Sequence, residues 1–151
     1  MSGRDQGSIK EVKNSVFRVL RDPIVRLLLK SSNLTPTQFE TMIIDVIGRI
    51  NREKVLSYEE KRKLRSKTVS RGAFIRTLSQ ARERVRGAIY TILLINYLGI
   101  LDSSFFEDYQ KLFERLREYL RDIEDSEKTK IILRRVEHEI ETRIAALIQS
   151  L

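Results

Sequence analysis

The sequence predicts an all-α protein, a helical core followed by an αα-hairpin, and three observations carry that prediction. Apolar residues recur every three or four positions along most of the chain, the repeat of a helix with one buried face, while the alternation that marks strands is almost absent. Two segments, Thr35 to Gln38 and Ser57 to Glu60, have the spacing in which a hydroxyl side chain and a Gln or Glu three residues on cap a helix start reciprocally. Both prolines, Pro23 and Pro36, stand where a periodic stretch begins, a position in which the missing N–H costs a helix little.

Met1 to Ser8 is short and polar and is expected to be disordered. A first helix is predicted from about Ile9 to Leu20, with Val12, Val16, Val19 and Leu20 on one face; Asp22 and Pro23 end it, and a short helix over Ile24 to Lys30 follows. Thr35 caps the next helix, with Pro36 at its first position, Gln38 closing the capping box and Leu34 stapling onto Phe39. Phe39, Met42, Ile43, Val46, Ile47 and Ile50 form its expected apolar face, and it fades near Asn51.

Ser57 and Glu60 open a short, very basic helix over Tyr58 to Arg65. After a three- or four-residue turn, Ser70 caps a long helix and Val69 staples onto Phe74. Phe74, Leu78, Ala81, Val85, Ile89 and Ile92 form its expected buried stripe, continuing toward Leu98. Gly87 marks a bend point in it, at about 1 kcal/mol relative to Ala. Beyond a break at Gly99 and Asp102 to Ser104, Phe105, Tyr109, Leu112, Leu116, Tyr119 and Ile123 repeat as a bundle seam, widened by Phe106, Phe113 and Leu120. A polar turn over Asp122 to Glu127 leads to a last helix carrying Leu133, Val136, Ile140, Ile144, Leu147 and Leu151, which completes the αα-hairpin.

At 151 residues the chain suits one helical domain over 9–101 and a hairpin arm over 102–151. The absence of Cys excludes disulfides and thiolate metal sites. No signal-peptide order opens the chain, so a cytoplasmic location is expected. The most apolar run, Gly87 to Leu101, has 15 residues including Asn96, short of the roughly 20 needed to span a bilayer, and so predicts a buried core helix without membrane contact. Charged residues make up 33% of the chain, a balance also found in thermophile proteins, so only a local asymmetry of charge argues for a partner.

Such an asymmetry exists. Arg49 to Arg86 carries 13 Lys and Arg against 4 Asp and Glu, a net +9, while the whole chain sums to +8. Concentrated positive charge is the footprint of a surface that meets a polyanion, because neutralising phosphates releases condensed counterions. The helices from Thr35, Ser57 and Ser70 have the lengths and short second turn of a tri-helical helix-turn-helix at about 35–86, and no alternating segment follows to form a wing. In that arrangement the helix from Ser70 turns Gly72, Ala73, Arg76, Thr77, Gln80, Glu83 and Arg84 away from its buried stripe. Arg side chains can make two hydrogen bonds to guanine and Gln two to adenine, so Arg76 and Gln80, with Arg71, Gly72, Thr77 and Arg84, are the candidate base-reading set. Lys61, Arg62, Lys63, Arg65, Lys67 and Ser70, with Arg71 beside them, are assigned to phosphates. Arg82 and Arg86 flank the buried face.

The run Val69-Ser70-Arg71-Gly72-Ala73-Phe74-Ile75-Arg76-Thr77-Leu78 resembles the start of the recognition helix in bacterial repressors of the lac repressor type. Those show Val-Ser, three variable residues, an apolar residue, any residue, Arg, any residue and an aliphatic residue. The resemblance covers ten residues; upstream, Thr68 stands where such motifs have a turn Gly, Leu64 where they have a small Ala, and Lys63 at a normally buried site. In style and composition the chain also resembles small archaeal helix-turn-helix regulators. The resemblance implies double-stranded DNA as partner and a homodimeric transcription regulator as function.

A homodimer also follows from the two-fold symmetry of duplex sites, with Phe105, Tyr109, Leu112, Leu116, Tyr119, Ile140, Ile144 and Leu147 as the expected contact. The competing readings are a solvated basic face with no ligand, an adaptor for an acidic protein partner, and an RNA-binding accessory factor. Nothing in the sequence points to an enzyme, a cofactor or a small-molecule substrate: His138 has no second imidazole near it, and Glu124, Asp125 and Glu127 are explained by helix capping.

Overall fold

A computed structural model of the chain describes residues 3–50, 55–101, 103–122, 126–149 and 151, with side chains described except at 3–6, 50, 120–122 and 126–129. Among these residues are seven helices and no strand: α1 (Gly3–Arg21), α2 (Pro23–Ser31), α3 (Pro36–Ile50), α4 (Tyr58–Lys63), α5 (Arg71–Tyr97), α6 (Phe105–Asp122) and α7 (Ser126–Leu147). They divide into two compact units, Met1–Ala88 and Ile89–Leu151, so the boundary falls inside α5. The sequence places a boundary at Asp102, which lies outside the described residues, as do Asn51, Ile123, Glu124 and Asp125.

The local signals explain most helix ends. Thr35 Oγ accepts from the Gln38 N–H at 3.1 Å while the Thr35 N–H donates to Gln38 Oε1 at 3.1 Å, and Ser57 and Glu60 make the same reciprocal pair at 3.3 and 2.9 Å. Asp22 caps α2 by accepting from Ile24 and Val25 N–H groups, and Ser70 caps α5 by accepting from Ala73 N–H at 3.1 Å. At the other end of α5, Gly99 takes φ +69 and the Ile100 and Gly99 N–H groups return to Ile95 and Asn96 carbonyls, a Schellman stop that favours glycine. One expectation is corrected at the N-terminus: α1 begins at Gly3, not Ile9, because Ser8 is buried one turn before Val12 and prolongs the Val12 and Val16 stripe.

The core of the first unit gathers Val12 and Val16 of α1, Ile44 of α3, Leu56 and Leu64 on either side of α4, and Phe74 and Leu78 of α5. In α3 the buried stripe is Thr41, Ile44, Asp45 and Gly48, whereas the expected face of Phe39, Met42, Ile43, Val46 and Ile47 is only half-buried. The helix is enclosed on more than one side, and its polar stripe faces α4 and α5. Asp45, 1% exposed, accepts from Lys61 Nζ of α4 at 2.9 Å and Arg82 of α5 at 3.0 Å, and Arg49 adds a third contact at 3.2 Å. Gly48 makes room for this: a Cβ there would sit 3.1 Å from Lys61 Cε.

Leu78 and Ala81 are buried on α5 as expected, but Val85, Ile89 and Ile92 are not. The run from Gly87 to Ile100 is exposed, or half-buried at Ile95, instead of forming a buried core helix, and Leu101 after it is buried. Helix continues through Gly87 without interruption. In the second unit α6 packs on α7, with Leu112 and Val136 buried and Glu139 as the polar tie: it accepts from Tyr119 Oη at 3.0 Å and from Arg115, and Arg143 lies 4.0 Å away. No helix among the described residues is long and apolar enough to cross a membrane.

Removing one partner of a buried ion pair leaves the other charged and unpaired, and this sets two different losses. Asp45→Asn strands Lys61 and is expected to cost about 3 to 5 kcal/mol. Lys61→Met costs less, because Arg82 and Arg49 still neutralise the carboxylate. Urea midpoints of the two variants check the order.

Candidate nucleic-acid interface

Six residues are too few for α4 to hold its own shape, so its position comes from what it touches. Tyr58, Lys61 and Leu64 recur at three-residue steps along one side and turn inward; Tyr58 lies 6.2 Å from the Phe74 ring and 5.1 Å from Lys61 Nζ. The turn after α4 is tied twice. Glu40 of α3 accepts from both the Ser66 N–H and the Ser66 hydroxyl, the latter at 2.9 Å. Arg62 bridges the turn, donating to Glu59 on its own helix and to the Val69 carbonyl at 3.3 Å, next to the Ser70 cap.

These ties correct two phosphate assignments. Lys61 is 4% exposed and committed to Asp45, and the Arg65 side chain lies against Glu40 at 3.7 Å. A basic run wound round a helix must turn part of its charge toward the body, and here the body answers with acids at those places. Arg62 is half-buried and engaged as above. Lys63, Lys67, Ser70 and Arg71 are exposed, and none of the three cations among them forms an ion pair with a described residue.

On α5 the expected outward face is in place. Phe74, Leu78 and Ala81 point into the core, and Gly72, Arg76, Gln80 and Glu83 lie opposite, exposed, with Thr77 half-buried and Arg84 exposed at the flank. Glu83 pairs with Arg86 at 3.0 Å, while no ion pair ties Arg76 or Arg84 to a described residue. A Cβ at Gly72 would meet nothing within 4 Å, so no contact with the described residues calls for glycine there. The surface therefore presents Lys63, Lys67, Arg71, Arg76 and Arg84 around the outer side of the turn and the first half of α5.

Of the residues expected at a dimer contact, Tyr109 and Ile144 are exposed, and Phe105, Leu116, Ile140 and Leu147 are half-buried, Phe105 and Leu147 lining an open groove of about 430 Å³. Leu112 is corrected to an internal residue of the hairpin, and Tyr119 is engaged with Glu139. Glu40 and Asp45, outside the expected site set, position the site without joining it. Their only mark in the sequence is that they are the two acids of α3, which does not say what they face.

No group of His, Asp or Glu suited to a metal ion occurs among the described residues. Compared with known proteins, the chain has no significant match to a protein-family model, a curated protein or a solved structure.

The Glu59 carboxyl is held below its ordinary value of 4.5, first by the hydrogen bond from Arg62, against some desolvation, and then by the charges of Arg62, Lys63 and Arg71. A depressed folded value means the clamp contributes above pH 4.5 and is lost as pH falls through the lowered value. The gap in Tm between wild type and Glu59→Gln is thus expected to be present at neutral pH and to close in acid. A gap that widens below pH 4.5 contradicts the clamp.

Proposed function

We propose that the chain is a cytoplasmic DNA-binding protein, a homodimeric transcription regulator that reads duplex DNA with the first half of α5. The observation that carries this is the division of its cations: Lys61, Arg65, Arg82 and Arg49 are tied to buried acids, whereas Lys63, Lys67, Arg71, Arg76 and Arg84 are exposed along the turn and the first half of α5. A surface of that kind fits a major groove flanked by two phosphate strands. Arg76 and Gln80 lie one turn apart on the outward face and have the donors that guanine and adenine edges accept and complement. Gly72, which no described neighbour requires, allows the helix to come close to the base edges.

Gel shifts with random duplex, single strand and RNA, over a range of salt, test the proposal. Duplex is expected to bind most tightly, with affinity falling steeply as salt rises. Preference for single strands or RNA, or indifference to all three at low salt, contradicts it. On a selected site, Arg76→Ala should lose about 1 to 3 kcal/mol at one base pair and relax preference there, while Lys63→Ala weakens all sequences alike. Gly72→Leu should leave thermal stability intact and reduce duplex affinity; unchanged affinity removes the close approach.

A further inference from the structure

The last three turns of α5 are apolar on nearly every side and lie open. From Ala88 to Leu98 only Thr91 and Asn96 are polar. Ile89, Leu93, Leu94 and Leu98 are 59 to 63% exposed, Tyr90 is 64% and Tyr97 87% exposed. A helix that is apolar all round belongs in an interior. Ile89, Leu93 and Tyr97, at steps of four, lie on the same side of the helix as Ile92 and Asn96, and all five are exposed. A contiguous apolar helix face left in water marks an association surface.

We infer that a second copy of this chain covers this strip, with α5 packed against α5 across a two-fold axis and Asn96 facing its own counterpart. Two features single out a copy over a different partner. Gly87 to Leu101 contains no charged residue, so the strip meets itself without like-charge repulsion and offers nothing to select an acidic or basic partner. Asn96 stands in line with Ile89 and Ile92 at steps of three and four. Its carboxamide, both donor and acceptor, is a polar group that an identical copy of itself satisfies, and an Asn in an apolar helix seam fixes register in this way. The strip, and not the α6 and α7 seam, then carries the association, since Leu112 is already buried within one hairpin and Tyr119 is engaged there.

The surface rests on the proposed homodimer, and because self-association is measured without nucleic acid, it can fail while duplex binding stands, and duplex binding can fail while it stands. Sedimentation equilibrium and light scattering on the full chain are expected to find a dimer. Ile89→Lys with Leu93→Lys should weaken it about 100-fold or more, by forcing charge into the contact, with helical circular dichroism retained. Asn96→Asp, which changes shape hardly at all, should weaken it about 10-fold or more by setting two carboxylates together. Phe113→Lys, on the exposed side of α6, should leave it unchanged. A monomeric wild type, including one that instead binds anionic lipid vesicles, overturns the inference. So do a dimer indifferent to Asn96→Asp and one broken by Phe113→Lys but not by the α5 charges.

Discussion

A single buried carboxylate sets the geometry of the basic region. Asp45 lies inside a helical core where an unpaired charge would be intolerable, and its pairing with Lys61 and Arg82 fixes α4 and α5 to α3. Compared with well-packed apolar residues, such a cluster adds little net stability; what it adds is a defined position for a helix too short to choose one. Gly48 belongs to the same device, because a side chain there would crowd the Lys61 stem. Glu40 does for the following turn what Asp45 does for α4, by accepting from Ser66 and drawing in Arg65.

From this follows a division of labour among residues of one chemical type. Lys61 and Lys63 are two positions apart on six residues of helix, yet one is the counterion of a core acid and the other is exposed. Net charge along the sequence therefore overstates the surface available to a polyanion, and the acids within reach decide which cations remain outside. Those that remain run from the turn before α5 along its first half, where Ser70 holds the first turn and Arg62 holds the segment of chain before it.

Helix starts were legible because their signals are local: Thr35 with Gln38, Ser57 with Glu60, and Ser70 each satisfy backbone groups within three residues. The outward face of α5 was legible for a related reason, since Phe74, Leu78 and Ala81 define its opposite. What escaped depends on neighbours distant in sequence. A lysine in a basic run gives no sign that an aspartate 16 residues earlier faces it, and the apolar stripe of α3 competes with a polar one that only packing on α4 and α5 reveals. The end of α5 misled for the opposite cause. Its composition is that of an interior, and composition does not say what packs against it.

The central claim is that Asp45 withdraws some cations and leaves others to meet phosphate. Its most direct test is the salt dependence of duplex affinity in Lys61→Met and Lys63→Met, variants of identical net charge, at a temperature where both are folded. The account predicts that Lys63→Met flattens the slope of log affinity against log salt by about 0.9, one phosphate contact, and that Lys61→Met leaves it unchanged. Equal flattening in both variants, or none in either, contradicts it.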